Sequence, residues 1–104
     1  MEEEIAYIID EEIKKLTYLS EIDLQCFLAH RIKPRRVMLS TKNDGSDWVE
    51  CYLVTDHNGV NDSPFRIGYD PSYKQFIREV LIENDVSLYL GRYPDLESAL
   101  DDFA

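Results

Sequence analysis

Residues 47–55 read DWVECYLVT, and their pattern decides the fold class. Val49, Cys51 and Leu53 alternate with Trp48, Glu50, Tyr52 and Val54. A period of two in a stretch rich in β-branched and aromatic residues is the signal of a β-strand. Just before it, TKNDGSD (41–47) is a turn, and from Arg35 onward Val37 and Leu39 alternate with Arg36 and Met38 as an earlier strand. After it, the polar run DHNGVNDS (56–63) leads into FRIGY (65–69), a third strand. DPSY (70–73) is a tight turn with Pro71 preset for its first central position. KQFIREVLIE (74–83) and VSLYLG (86–91) follow, linked by Asn84 and Asp85 as a hairpin.

Outside this block the period becomes helical. Ile5, Ile8, Ile9, Ile13 and Leu16 form an apolar stripe over residues 3–16, with Glu2, Glu3 and Glu4 at the positive end of the helix dipole. LSEIDLQCFLAHRI (19–32) predicts a second helix with Ser20 as N-cap and a buried stripe of Leu24, Phe27, Leu28 and Ile32. Pro34 stops that helix, and the basic cluster RIKPRR (31–36) sits at its C-terminal end. Pro94 opens a last helix with Leu96, Ala99, Leu100 and Phe103 on one stripe. The expected architecture is one α+β domain over residues 1–104. It has two N-terminal helices, an antiparallel meander of about five strands with one face covered by the helices, and one short C-terminal helix.

Charge narrows the function classes. Twenty-one acidic residues against 11 basic ones leave a net charge of −10. Such a field opposes nucleic-acid phosphates and anionic lipid, and it favours a basic protein partner. Neither a secretory signal nor a membrane-spanning run is present in the sequence, so cytoplasmic residence is expected. Two cysteines do not make a disulfide framework.

Candidate chemistry is sparse. Asp56, Asn58, Asn61 and Asp62 offer oxygen ligands, but their spacing departs from a calcium loop and no terminal Glu closes it. That run therefore reads as a polar connector. Cys26, His30, Cys51 and His57 invite a zinc site, yet no close ligand pair such as C-x-x-C exists. Asp23, Cys26 and His30 share one side of the second helix at i, i+3 and i+7. Cys26 and His30 could pair a thiol with an imidazole, but no oxyanion site accompanies them. No catalytic residue, metal or cofactor is assigned, and a non-enzymatic protein is expected.

Near the C-terminus, GYDPSYKQFIREVLIENDVSLYLGRYPDLESALDDF (68–103) resembles a segment of small acidic bacterial proteins that include immunity proteins of toxin–immunity pairs. The shared features are the YDP turn, the long hairpin, the LG-x-Y exit and the final helix with SAL. The resemblance implies a non-enzymatic inhibitor that occupies a basic toxin, such as a nuclease, and it carries over no catalytic residue. The residues expected at the contact are Trp48, Glu50, Tyr52, Asp56 and Asp62, with Asp23 and His30 as a second patch. Aromatic anchors and acidic steering groups are what such a contact needs. The alternatives are a structural or regulatory subunit, including one that pairs with itself as a homodimer, and a small metal- or thiol-dependent enzyme built on Cys26 and His30.

Overall fold

The computed structural model describes residues 1–42, 44–56, 65–82 and 86–103. Helix α1 spans Glu2–Ile13 and α2 Glu21–His30; strands β1 Arg31–Ser40, β2 Trp48–Thr55, β3 Arg66–Asp70, β4 Gln75–Ile82 and β5 Val86–Tyr93 follow, and α3 closes the order at Leu96–Leu100. The α+β class and the element order agree with the sequence pattern. The polar run expected as a connector lies, after Asp56, outside the described residues, as does the link between β4 and β5.

The five strands follow one another in the expected meander order, but the sheet closes on itself and is not antiparallel throughout. Its strands run β1-β2-β3-β4-β5 and close into a barrel through a β1–β5 contact at Ser40 and Leu88. The other neighbouring pairs are antiparallel. In an up-and-down order with an odd number of strands, the first and last run the same way, so the closing pair has to be parallel. Strand twist curls the sheet until those two meet.

Closure divides the apolar residues into two layers. Leu39, Cys51 and Ile77, with Val37, Val49 and Tyr89 beside them, fill the interior. Tyr52, Val54, Ile67, Tyr69 and Phe76 point outward and pack under Ile5, Ile9, Phe27, Leu96, Leu100 and Phe103 of the helical layer. The interior is narrow. At Gly68 a Cβ would lie 2.8 Å from Ile77 Cδ1 and 3.1 Å from the Tyr52 carbonyl oxygen. The Glu79 carboxylate is fully buried and is neutralised by Arg66, its cross-strand partner.

Two expectations about the second helix need correction. It ends at His30, and RIKPRR belongs to β1 instead of capping the helix. Pro34 sits where the β1–β2 register shifts between Arg31 and Arg35, the place in a sheet that tolerates a missing N–H. Two of the basic residues there have separate partners. Arg31 pairs with Asp10 at 2.8 Å, and Arg36 pairs with Glu50 at 2.8 Å. In addition, Leu28 is exposed and Ile32 lies in the strand, so the buried side of α2 is carried by Phe27 and, unexpectedly, Asp23. Ser20 does cap the helix, accepting from the Asp23 N–H at 3.2 Å. The first helix stops at Ile13, shorter than the stripe through Leu16 implied.

A reciprocal clamp of two carboxylates joins α3 to the N-terminal helices. Glu97 Oε2 accepts from the backbone N–H groups of Thr17, Tyr18 and Leu19 at 2.7, 2.6 and 2.8 Å, and Oε1 accepts from the Thr17 hydroxyl at 3.1 Å. Glu12 Oε1 in turn accepts from the Leu96 N–H at 2.9 Å, at the start of α3. Arg78 fastens the other end of α3 to the barrel. It donates to the carbonyls of Ala99 and Asp101 and lies over the rings of Phe65 and Tyr93.

Substituting Gly68→Ala should destabilise the fold by about 1–3 kcal/mol, the usual cost of overpacking. Urea unfolding would measure this, and Ile77→Val, which removes the clashing Cδ1, should return part of the loss in the double variant. If Gly68→Ala is neutral, the interior is wider than described.

Burial pushes the Glu97 carboxyl up, but the hydrogen bonds from Tyr18, Thr17 and Leu19 outweigh it and hold the group below its ordinary value of 4.5. A carboxyl lowered on folding adds stability above its unfolded value and loses it as pH falls through the folded value. Thermal melts of wild type and Glu97→Gln should therefore differ most above pH 4.5 and converge under acid. A gap independent of pH would show that the charge of Glu97 is not what the clamp uses.

Candidate functional site

The structure scatters the residues expected at a contact. Trp48 is exposed at 45% and Glu50 is exposed but held by Arg36. Tyr52 is not on an open surface. It is 7% exposed, because the helices cover the face of β2 that carries Tyr52 and Val54 while Cys51 and Leu53 turn into the barrel. One strand's alternation cannot show that both of its faces are covered, which is what closure produces. Asp56 is half-buried, and its N–H donates to the His30 carbonyl at 3.0 Å, so the two expected patches meet at this point. His30 is half-buried and Asp23 is buried. Asp62 and His57 lie outside the described residues.

The thiols occupy different layers. Cys26 packs at the edge of the outer core and Cys51 lies in the barrel interior. Burial, then the nearby charges of Asp70 and Glu50, push the Cys51 thiol up to about 12. Such a thiol is not a nucleophile at neutral pH. Among the described residues no group of three or more His, Cys, Asp or Glu side chains is placed to hold a metal ion.

Two other regions carry organised chemistry. The first is the helical layer. Residues 1–30 and 94–104 contain 12 acidic and 2 basic residues, whereas residues 31–93 contain 9 of each. The whole net charge of −10 thus belongs to the helical segments. Part of it is structural: Glu12 and Glu97 form the clamp, and Glu11 and Glu12 pair with Lys14 and Lys15. Glu21, Asp95, Asp101 and Asp102 are exposed. On the outer side of α2, Glu21, Ile22, Gln25, Leu28 and Ala29 are all exposed. Ile22 is exposed at 74% and Leu28 at 45%. Tyr18, exposed at 64%, sits at the entry to α2. Its phenol is raised above 10.0, first by desolvation and then by the charges of Asp95, Glu97 and Asp101. A helix that buries an aspartate and presents isoleucine and leucine outward inverts the usual arrangement of a surface helix.

The second region is a cleft of about 480 Å³ at the end of the barrel where β1, β3 and β5 finish. Thr41, Asp47, Val49, Asp70, Tyr73, Tyr89, Gly91 and Arg92 surround it. Asp70 is fully buried at its floor. Its two oxygens accept from the Ser72 N–H at 2.9 Å and the Tyr89 hydroxyl at 2.8 Å. Burial, and then that hydrogen bond, raise the Tyr89 phenol well above its ordinary 10.0, so it stays protonated as a donor. The Arg92 guanidinium lies over the Tyr73 ring, 3.8 Å from its centroid. Gly91, at φ 66°, is the extra residue where the β4–β5 register shifts, and this left-handed turn sets the direction in which Arg92 leaves the strand. Turn residues and alternation, the local signals of the primary structure, contain nothing that would join Asp70, Tyr89 and Arg92; closure of the barrel does so.

No family model, no curated protein and no solved structure matches the chain. Among the described residues no helix is long and apolar enough to cross a membrane.

The layer assignment of the thiols has a direct check. Cys51 should resist an aromatic disulfide reagent at pH 8 in the native protein and react once the chain is unfolded. Rapid native modification of a Cys26→Ser variant, whose remaining thiol is Cys51, would contradict an interior position.

Proposed function

We propose that this chain is a non-enzymatic binding protein that docks a basic protein through its helical layer, in the manner of an inhibitor or immunity protein. The observation that carries this reading is the segregation of charge. All of the net −10 resides in the helical segments, and in the same layer Ile22 and Leu28 of α2 are exposed. An apolar centre with a charged rim is the anatomy of a protein interface. Acidic groups at the rim raise the encounter rate with a basic partner by about 10- to 1000-fold at low salt, and the apolar centre supplies the lasting contact. On this reading the contact is made by Tyr18, Ile22 and Leu28, with Glu21 and Asp101 of the same acidic segments, and not by the sheet residues Trp48, Glu50 and Tyr52.

Capture of the tagged full chain from its native cells, at low and at high salt, tests the reading. A basic protein should be retained at low salt and released at high salt, where screening shortens the reach of the charges. Ile22→Asp and the pair Glu21→Lys, Asp101→Lys should each abolish retention, while Glu50→Lys should not. Loss on Glu50→Lys alone would return the contact to the sheet. Capture that is indifferent to salt and consists of the chain itself would instead favour a self-associating or regulatory subunit.

A further inference from the structure

We propose that the cleft at the end of the barrel binds a free α-amino acid as its zwitterion, with the ammonium on Asp47 and the carboxylate on Arg92. This site lies apart from the helical layer and does not rest on the partner assigned to that layer.

The argument begins with two opposite charges that share a cleft and are not paired with each other. Arg31, Arg36 and Arg66 are each committed to a carboxylate, those of Asp10, Glu50 and Glu79. Arg92 and Asp47 both line the cleft, and neither forms an ion pair among the described residues. Each is held in place by an uncharged neighbour. The guanidinium of Arg92 rests on the face of Tyr73, 3.8 Å from the centroid, and interacts with the hydroxyls of Tyr73 and Tyr89, while among the described residues no carboxylate pairs with it. A planar fork of this kind matches a carboxylate in two parallel hydrogen bonds. One oxygen of Asp47, Oδ2, accepts from the Thr41 hydroxyl at 2.7 Å, and the Thr41 N–H donates to the Asp47 carbonyl at 2.8 Å. Among the described residues the other carboxylate oxygen has no hydrogen-bond donor, and a ligand donor can take that place.

The floor selects among ligands. Asp70 is buried and its oxygens are occupied by Ser72 and Tyr89, so its charge is felt in the cleft without being offered as a contact. A simple anion would reach Arg92 but meet the fields of Asp47 and Asp70. A simple cation would satisfy Asp47 and leave Arg92 facing like charge. A molecule carrying both charges answers each group, and the α-amino acid backbone is the smallest common structure of that kind. Val49 and the ring of Tyr89 supply an apolar wall for its side chain. Convergent polar groups against such a wall are the usual composition of a small-molecule site.

The test is a titration of the isotope-labelled full chain, followed by backbone amide shifts, with glycine, L-leucine and L-phenylalanine. Saturable shifts at Tyr73, Gly91 and Arg92 are expected for at least one of them. Blocking either charge of the ligand that binds, as the C-terminal amide or the N-acetyl derivative, should weaken binding by about tenfold or more. Asp47→Asn and Arg92→Gln should each do the same, with unchanged shifts elsewhere showing that the fold persists. No saturable shift with any of the three, or equal binding of both blocked derivatives, would overturn the proposal. Arg92→Gln should leave capture of a partner by the helical layer unchanged, so failure here is distinct from failure of the docking reading.

Discussion

The rest of the structure depends on the closure of five strands into a barrel. A barrel of so few strands has little interior, and its size sets which side chains can enter. Leu39, Cys51 and Ile77 fill the middle, and opposite Ile77 only a glycine fits. Polar side chains also occur inside, each with a partner: Glu79 with Arg66, Asp70 with Tyr89. Unpaired, those carboxylates would be expensive to bury, and paired they make the register specific, since a shift of one residue would expose them to the wrong face.

Because the interior is so small, it cannot be the main apolar core. That role falls to the layer between the outer surface of the barrel and the three helices, where Phe27, Phe65 and Phe103 meet edge to face. Helices this short need more than apolar contact to stay attached, and the Glu12–Glu97 clamp supplies it by satisfying backbone N–H groups at the start of α3 and before α2. The same carboxylates belong to the acidic residues of the helical segments. Fold and charge are thus partly one device: some acids hold the layer together, and those left exposed give it its field.

The division of labour between layers follows from this arrangement. The barrel segment is electrically balanced and carries a cleft at one end, while the helical segments hold the net charge and an exposed apolar strip. The proposed docking of a basic partner draws on the acidic helical segments and on the exposed Ile22. The proposed ligand with both charges draws on Asp47 and Arg92, which line the cleft. These surfaces are built from different elements, so each can be altered without dismantling the other.

Alternation in DWVECYLVT, the stripe of isoleucines in α1 and the Ser20 cap are local features, and for that reason the primary structure determined the α+β class, the element order and the overall acidity. Local signals also misled where two of them competed. Pro34 reads as a helix stop, yet β1 already begins at Arg31 and absorbs the proline at an irregular register. Burial of Tyr52, exposure of Leu28 and Ile22, and the meeting of Asp70 with Tyr89 were decided only by tertiary structure. The physical reason is that periodicity tells which residues share a face, while what covers that face depends on contacts between segments far apart in the chain. Here the deciding contact is the parallel pairing of Ser40 with Leu88, which closes the sheet, gives both faces of β2 something to pack against and brings the ends of three strands around one cleft.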